Sequence, residues 1–355
     1  MNHIAKIRAR LADYGLDSVL ILSSVNMQYA CGYRTGDSAV LISAEKAYYF
    51  ADSRNIESAR RGTENMEMVL CTQGKGLYDA VAEKAELCAL RRIGIEEGKI
   101  SILVLDRLQA ALGDRIKYAE ALFNDVRSSK NAEEKAKLIE AQRLTEQAYE
   151  NTLRELKVGM TERQVSAILT FHMLNLGAER ISFGPIVGAG EKTSLPHSRP
   201  SDKVICTGDF LTMDFGCVVD GWCSDMTRTV AFGSVTEEMR RIYSCVLDAQ
   251  LAGIAAAKAG IPGKEVDAAS RKVITDAGYG EYFTHSFGHG MGMEGHEGIG
   301  ATKTEDRLLP VGAVISAEPG IYIPNRYGVR IEDVLYVTEN GCEDITLTPK
   351  ELLIL

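Results

Sequence analysis

Two aspartates in a strand-like stretch, residues 211–229, are the first side chains whose type and spacing could do chemistry. Between them stands Asp220-Gly221, the favoured pair for a two-residue hairpin turn because both central positions need a positive φ. Such a turn folds the stretch into a ribbon and places Asp214 and Asp225 diagonally on one face, about 7–8 Å apart. Two carboxylates at that separation can close on a shared cation.

The register that this turn predicts puts Val219 opposite Trp222 and Asp225 opposite Gly216. Like charges side by side on a half-buried sheet face are unfavourable unless a counter-ion offsets them. The alternative interpretation is an ordinary solvated strand face, on which both carboxylates point into water. The two aspartates alone do not decide between these interpretations.

Three of the six histidines lie close together in THSFGHGMGMEGHEG, residues 284–298. The four glycines between His285 and His296 predict an irregular segment, which differs from the helical His-Glu-x-x-His zinc motif. A single histidine such as His289 would more often be a satisfied core residue. Three of them among glycines indicate a functional site.

Two glutamates follow in SAEPGIYIPNRYGVRIEDVLYV, residues 316–337. Glu332 lies in an apolar strand two residues after Arg330, so these two side chains share a face. A turn around Asn325–Gly328 would bring Glu318 toward Glu332. The alternative is a surface ion pair between Arg330 and Glu332, which would contribute little and would leave Glu318 unexplained.

Together these segments offer four carboxylates and one imidazole, so four negative charges need an offset. Two divalent cations about 3.5–4 Å apart would supply it and leave room for a bridging hydroxide. Oxygen-rich donors with one histidine favour Mn²⁺, Co²⁺ or Fe²⁺ over a sulfur-bound structural zinc. We therefore predict a two-metal hydrolytic centre with manganese as the first expectation and cobalt, zinc or iron as alternatives.

The elements that must position these residues belong to an ordinary globular chain. Of its 355 residues 45% are apolar, and the net charge of −9 argues against nucleic acid or an anionic membrane as the main partner. The chain has no apolar run of the roughly 18 residues that a membrane span needs, and no secretory-signal pattern. Eight dispersed cysteines, without a Cys-x-x-Cys pair, indicate reduced and mostly buried thiols, so we expect a cytoplasmic protein.

The first part of the chain alternates strands with helices, which predicts an α/β domain over residues 1–125. Its first helix is expected over residues 2–15, with Asn2 as a possible cap. The other predicted elements are strands at 18–23, 38–43, 46–51 and Ile93–Ile95, and helices near 77–90 and 101–111.

The remainder, residues 126–355, predicts an α+β domain with antiparallel hairpins. A long helix follows Asn131, with Glu134 completing a capping box. Further helices are predicted from two more capping boxes and a glycine stop: Thr161-x-x-Gln164, Ser234-x-x-Glu237, and Gly263–Ala277 before Gly278. The stretches between them are strand-like and rich in glycine, at 181–190, 203–232 and 308–338.

The order of the chemical residues resembles that of the pita-bread metallopeptidases, the family of methionine aminopeptidase, aminopeptidase P, prolidase and the metal-free creatinase. The series is Asp214, Asp225 eleven residues later, His289, Glu318 in Glu-Pro-Gly, and Glu332 in Arg-x-Glu-Asp. The N-terminal half resembles the creatinase-type amino domain of prolidases and aminopeptidases P. The stretches that carry this second resemblance are 16–33, 48–55 and the junction VRSSKNAEE at 126–134.

The resemblance implies a role for each candidate residue. Asp214 would chelate one ion, and Asp225 and Glu332 would bridge both ions. His289 and Glu318 would complete the shell of the other ion, and Glu318 would also move the proton of the attacking hydroxide. His197 would bind substrate, and His296 would stabilise the tetrahedral intermediate. His285 would line the pocket after the scissile bond, with Tyr322 and Arg330 near that pocket.

The implied function is that of a dinuclear exopeptidase that cleaves Xaa-Pro bonds in dipeptides or at the start of peptides, assembled as a homodimer. One alternative is a non-catalytic pita-bread module that binds a peptide or protein, but such members lose several ligands and this chain has all five candidates. Another is a metal-free creatinase-like hydrolase, which the retained ligands oppose. Methionine aminopeptidases usually lack the extra amino domain, so residues 1–125 count against that option.

Overall fold

The computed structural model describes residues 3–355, and the predicted cap Asn2 lies outside this part. The chain divides into two compact units, Met1–Arg127 and Ser128–Leu355, which we call the first and second units. In residues 3–355 we find no helix that is both long and apolar enough to span a membrane. All eight cysteines are free thiols, and five of them are buried, as the sequence predicts.

The first unit is built on one mixed sheet whose strands run in the order β4-β3-β2-β1-β5-β6. Its strands are β1 Ser18–Ile21, β2 Ala39–Ser43, β3 Ala47–Asp52, β4 Glu67–Cys71, β5 Ile93–Ile95 and β6 Ile116–Tyr118. Its helices are α1 Ile4–Arg10, α2 Ser24–Cys31, α3 Ile56–Gly62, α4 Leu77–Leu87, α5 Ile102–Leu112 and α6 Glu120–Ser128. The three central strands pair antiparallel, and the outer pairs are parallel.

The predicted apolar strands of the first unit are confirmed as β1, β2, β3 and β5, because short runs of β-branched and aromatic residues suit a fully buried strand. Helices α2, α3 and α6 and strands β4 and β6 are not predicted from the sequence. Strand β4 is half exposed and lacks a clean alternation, and the apolar residues of α2 do not form one face. Both elements therefore depend on tertiary contacts that no local pattern reveals.

The second unit contains four long helices: α7 Ala132–Leu153, α8 Glu162–Asn175, α9 Glu237–Ala256 and α10 Gly263–Asp276. The capping boxes that begin α7 and α8 are confirmed. The predicted box at Ser234 is wrong: the hydroxyl of Thr236 accepts the Met239 N–H instead and so caps α9. Helix α10 ends before Gly278, as predicted, and that glycine has a φ of 85°.

The strands of the second unit form small antiparallel sheets. They are β7 Arg180–Ile181, β8 Ile186–Ala189, β9 Phe210–Phe215, β10 Cys217–Val219, β11 Trp222–Cys223, β12 Met226–Ala231, β13 Val314–Ala317, β14 Gly320–Ile323, β15 Tyr327–Arg330, β16 Asp333–Val337 and β17 Cys342–Asp344. The sheet orders are β11-β10-β7, β12-β9-β8, β13-β16-β17 and β14-β15. Helices α7 and α8 pack on β8, β9 and β12 through a buried apolar cluster that includes Leu169, Met213 and Phe215.

The predicted hairpin is confirmed in both its turn and its register. Asp220 and Gly221 have φ values of 48° and 82°, as a two-residue turn of this kind requires. Val219 pairs with Trp222 next to the turn, and the same register continues farther along the ribbon, where Asp214 pairs with Thr227. Gly216 is needed here, because a Cβ at this position would lie 2.0 Å from a carbonyl oxygen of Ser224.

Candidate metal centre

A cavity of about 650 Å³ in the second unit gathers the predicted site residues. The five candidate ligands all line it, together with three of the other histidines and one arginine: Asp214, Asp225, His289, Glu318, Glu332, His197, His285, His296 and Arg330. Tyr322 does not line the cavity, but its hydroxyl contacts two residues that do. The functional roles assigned to these residues remain predictions, whereas their proximity is a feature of the fold.

Asp214 lies in β9, and Asp225 lies immediately before β12, the strand that pairs with β9. Asp214 and Asp225 are only 8% and 5% exposed, so the alternative of a solvated strand face is wrong. Among residues 3–355, the Oδ1 atom of each has no hydrogen-bond partner although it is shielded from solvent. Buried carboxylate oxygens without donors are costly, which indicates that this space is meant for cations.

His289 is brought to these carboxylates by the irregular glycine segment that the sequence predicts. Its Nε2 atom lies 3.6 Å from Oδ2 of Asp225 and 3.5 Å from Oε1 of Glu318. The backbone of His289 is fixed by Ser316, whose hydroxyl accepts the His289 N–H at 2.9 Å. A Cβ at Gly288 would lie 1.9 Å from the Ser316 carbonyl oxygen, so the close approach of these segments requires glycine.

The two glutamates approach through the hairpin β14–β15, whose register pairs Gly320 with Arg330. Ala317 pairs with Asp333 in the same register, so Glu318 lies opposite Glu332. The sequence predicted that these two glutamates come near each other but did not fix their register. The carboxylate of Glu332 accepts the Thr227 hydroxyl at 2.6 Å. Atoms of three candidate ligands, Asp225, His289 and Glu332, lie within 4.8 Å of one another.

Arg330 is the cation that the structure places beside the acidic cluster. It is 3% exposed, so the alternative of a surface pair with Glu332 is wrong. Its Nη2 donates to Asp214 at 2.5 Å, its Nη1 to the Tyr322 hydroxyl at 3.0 Å and its Nε to the Thr227 hydroxyl at 3.1 Å. Burial works to lower the pKa of Arg330, but Tyr322, Asp214 and the two glutamates raise it well above its usual value.

His285 and Tyr322 extend this chain of contacts along the cavity wall. The Nδ1 atom of His285 lies 2.8 Å from the Ser286 carbonyl oxygen, which can only accept, so Nδ1 carries the proton. The Nε2 atom then accepts the Tyr322 hydroxyl at 2.8 Å. Burial and the charge of Arg330 lower the pKa of His285 to about 4, so the ring is neutral near neutral pH.

The remaining two histidines differ in their surroundings. The ring of His296 stacks on that of His289, with centroids 3.8 Å apart and an interplanar angle of 13°. Burial, followed by the neighbouring His289, lowers the pKa of His296 to about 4. His197 lies at the exposed side of the cavity, next to Pro196.

Burial and mutual repulsion raise the pKa values of three carboxyl groups in the centre. Burial raises the pKa of Asp225 well above its ordinary range, and Asp214 and Glu318 raise it further. Burial, followed by Asp225, does the same for Glu332. Burial raises the pKa of Glu318 to about 7 despite the nearby Arg330. This oxygen-rich donor set with unpaired oxygens and one imidazole fits divalent cations, which would replace the bound protons.

Two supporting residues were not identified from the sequence. Thr227 pairs directly with Asp214 across the ribbon, so the predicted register already contained its position, although not its bond to Glu332. Ser316 donates to Glu318 at 3.2 Å in addition to its contact with His289. Nothing in the local sequence marks Ser316, because its partners come from a different segment.

Comparison with known proteins agrees with this architecture. The model of metallopeptidase family M24 matches residues 136–339, and that of the creatinase/prolidase N-terminal domain matches residues 3–129. An uncharacterized peptidase of Bacillus subtilis (strain 168), YqhT, is 39% identical over 354 residues, which cover 99% of both chains.

Two solved structures are similar over almost the full length. An Xaa-Pro dipeptidase from Bacillus anthracis has a TM-score of 0.95 at 38% identity and covers 99% of both chains. An X-Pro aminopeptidase from Thermotoga maritima MSB8 has a TM-score of 0.91 at 33% identity and covers 98% of this chain and 100% of its own. The predicted fold class, an α/β N-terminal domain followed by an α+β pita-bread domain, is confirmed. This chain therefore belongs to metallopeptidase family M24 and carries a creatinase/prolidase-type N-terminal domain.

Proposed function

We propose that this protein is a dinuclear, divalent-metal-dependent exopeptidase that hydrolyses the Xaa-Pro bond in dipeptides or at the N-terminus of peptides. The observation that carries the proposal is the cluster of Asp225, His289 and Glu332, whose ligand atoms lie within 4.8 Å of one another in a cavity and whose two carboxylates are buried. The two similar structures named above, a dipeptidase and an aminopeptidase, both act on Xaa-Pro substrates by name, which supports the same substrate class.

The metal ions would be held by the acidic and imidazole side chains at the base of the cavity: Asp214, Asp225, His289, Glu318 and Glu332. When bound, they would supply Lewis acidity, which lowers the pKa of water and polarises the scissile carbonyl group. Manganese is our first expectation because most of the donors are carboxylate oxygens.

Glu318 is the group that we propose to move protons during the reaction. It would accept a proton from the attacking water and pass it to the leaving proline nitrogen, which leaves poorly unless it is protonated. The position of Glu318 supports this role: its carboxylate lines the cavity and lies 3.5 Å from the His289 ring, within reach of both the attacking water and the leaving group.

The other cavity residues would bind and orient the substrate. The neutral ring of His296 would donate a hydrogen bond to the oxygen that gains charge in the transition state. His285, held by Tyr322 and by the Ser286 carbonyl oxygen, would line the pocket for the proline ring, and His197 would contact substrate at the cavity entrance. The free amino terminus would lie beside Asp214, which restricts cleavage to the end of a chain.

We also propose that the protein is a homodimer in a reducing, cytoplasmic compartment. Eight unpaired thiols, five of them buried, are consistent with the second part of this proposal. Size measurement by light scattering tests the first part.

The test of the function is a cleavage assay on chelator-stripped protein with Mn²⁺, Co²⁺ and Zn²⁺ added back separately. The substrates are an Ala-Pro dipeptide, a longer peptide that begins with Ala-Pro, and the matched Ala-Ala compounds. We expect metal-dependent hydrolysis of the proline substrates only. Equal cleavage of the Ala-Ala compounds would contradict the proposed specificity, and activity that survives removal of the metal would contradict the proposed chemistry.

A further inference from the structure

A buried charge network lies on the far side of Glu332 from the cavity. Its centre is Arg228 on β12, which is 2% exposed, and its partner Asp333 is fully buried at the start of β16. The Nη2 atom of Arg228 donates to Oδ1 of Asp333 at 2.7 Å. The other oxygen of Asp333 accepts a hydrogen bond from the Gln250 amide at 3.0 Å and another from the Lys350 ammonium group.

The remaining donors of Arg228 connect two parts of the chain. On one side, Nη1 donates to the carbonyl oxygens of Glu332 at 2.7 Å and Thr227 at 2.9 Å. On the other side, Nη2 and Nε donate to the carbonyl oxygens of Thr348 at 2.6 Å and Pro349 at 2.9 Å. All five guanidinium N–H groups therefore have acceptors, which only the planar fork of arginine can serve at once.

The backbone and side chain of Glu332 are held from several directions by this arrangement. Its N–H donates to the Thr227 carbonyl oxygen at 3.1 Å, its carboxylate accepts the Thr227 hydroxyl, and its carbonyl oxygen accepts Arg228. Such restraint has a physical purpose, because Asp225 and Glu318 lie close enough to repel a charged Glu332. Without an anchor, the acids of the cluster would move apart rather than hold the spacing that paired ions need.

We infer that Arg228 is a positioning residue for the metal ligand Glu332. Arg228 is in turn held by the C-terminal segment Leu347–Leu355 as well as by Asp333. The inference rests on the proposed function in that it takes Glu332 to be a ligand. The segment is itself fixed to the second unit: the Leu347 and Thr348 N–H groups donate to Glu146, and the Leu355 N–H donates to the Ala231 carbonyl oxygen at 2.8 Å. The segment Leu347–Leu355 thus connects the body of the second unit to Arg228.

The sharpest test is Arg228→Lys, with Mn²⁺ titrated into chelator-stripped protein by calorimetry. Lysine keeps the positive charge beside Asp333 but cannot reach all five acceptors. We expect Mn²⁺ binding to weaken about 10- to 100-fold, the range found when support of a metal ligand is lost. Wild-type affinity in Arg228→Lys would overturn the inference. The matched control is Arg326→Lys, which alters an exposed pair with Glu238 and should leave Mn²⁺ affinity unchanged.

A measurement on the unaltered protein covers the case in which Arg228→Lys does not fold. Coupling between sites is reciprocal, so Mn²⁺ should slow hydrogen exchange of the Leu347, Thr348 and Leu355 amides. Helix α4 in the first unit serves as the reference and should not change. Unchanged exchange in the C-terminal segment, with Mn²⁺ bound, would overturn the inference. A wild-type protein that binds Mn²⁺ but does not cleave Xaa-Pro bonds would overturn the proposed substrate and leave this inference standing.

Discussion

Two buried carboxylates, one in each unit, have opposite surroundings. Glu96 in the first unit is fully buried, and both of its oxygens are occupied. One accepts the Leu22 and Ser23 N–H groups at 2.6 and 3.0 Å, and the other accepts the Asn26 amide at 2.6 Å and the Ser23 hydroxyl. Asp225 in the second unit is nearly as buried, yet its Oδ1 receives no hydrogen bond from residues 3–355.

The difference shows how a buried carboxylate with a structural role can be distinguished from one that binds a ligand. Donors from the chain itself satisfy Glu96, and its two backbone bonds fix the approach to helix α2, so its role is structural. Asp225 faces other acids, and burial together with Asp214 and Glu318 raises its pKa well above the ordinary range. A buried carboxylate oxygen left unpaired in this way is tolerated when a ligand supplies the missing partner.

The largest effect that the comparison predicts is for Asp225→Asn. Xaa-Pro cleavage should fall by more than about 100-fold, the upper end of the loss seen for residues that only support a ligand. The metal-free variant should also melt at a higher temperature than metal-free wild type, because one of the repelling acids is gone. The Xaa-Pro cleavage assay measures the first effect, and scanning calorimetry of chelator-treated protein measures the second. Full metal-dependent activity in Asp225→Asn would remove the basis of the comparison.

The second prediction separates the acids from a neighbouring group that we do not assign to the metal. His296→Gln should lower kcat by about 10²- to 10³-fold, as expected for loss of a donor to a developing oxyanion. Mn²⁺ affinity should stay at the wild-type value, because the His296 ring stacks on that of His289 and is not one of the proposed ligands. A loss of Mn²⁺ binding equal to that of Asp225→Asn would place His296 among the ligands instead.

The third prediction concerns pH. Burial raises the pKa of Glu332 well above its usual range and that of Glu318 to about 7, so the metal-free centre holds protons near neutral pH. Cations must displace these protons, and Mn²⁺ affinity should therefore rise with pH by about tenfold per unit for each proton released. Titrations one unit below and one unit above pH 7 measure the slope. A flat profile would mean that the acids are already ionised.

The smallest effect on function is predicted for Glu96→Gln. Glutamine has one acceptor oxygen, so its NH2 group would face one of the two sets of donors that Glu96 now accepts, and the free energy of unfolding should fall by about 1–3 kcal/mol. Mn²⁺ affinity and kcat should not change. Denaturant unfolding followed by circular dichroism gives the first quantity, and the metal titration described above gives the second. An effect on Mn²⁺ binding would contradict the assignment of Glu96 to structure alone.

Local chemistry explains which features could be predicted from the sequence. The Asp220-Gly221 turn fixes a hairpin register through backbone preferences of two adjacent residues, and the strand period of two then assigns Asp214 and Asp225 to one face. The capping boxes of α7 and α8 are equally local. The predicted cap of α9 is wrong because two hydroxyl residues, Ser234 and Thr236, lie near its start. The sequence pattern alone does not decide which of them caps the helix.

Sequence alone determined the candidate acids, the histidines among glycines, and the turn that aligns the first pair. Only the tertiary structure decided their partners. Arg330 reaches Asp214 across 116 positions of the chain, and Arg228 reaches Pro349 across 121. Such contacts arise from the packing of separate hairpins, and a long-range bond leaves no periodicity or spacing in the sequence around either partner. Residue types can be read along the chain, but the burial that makes acids need cations exists only after folding.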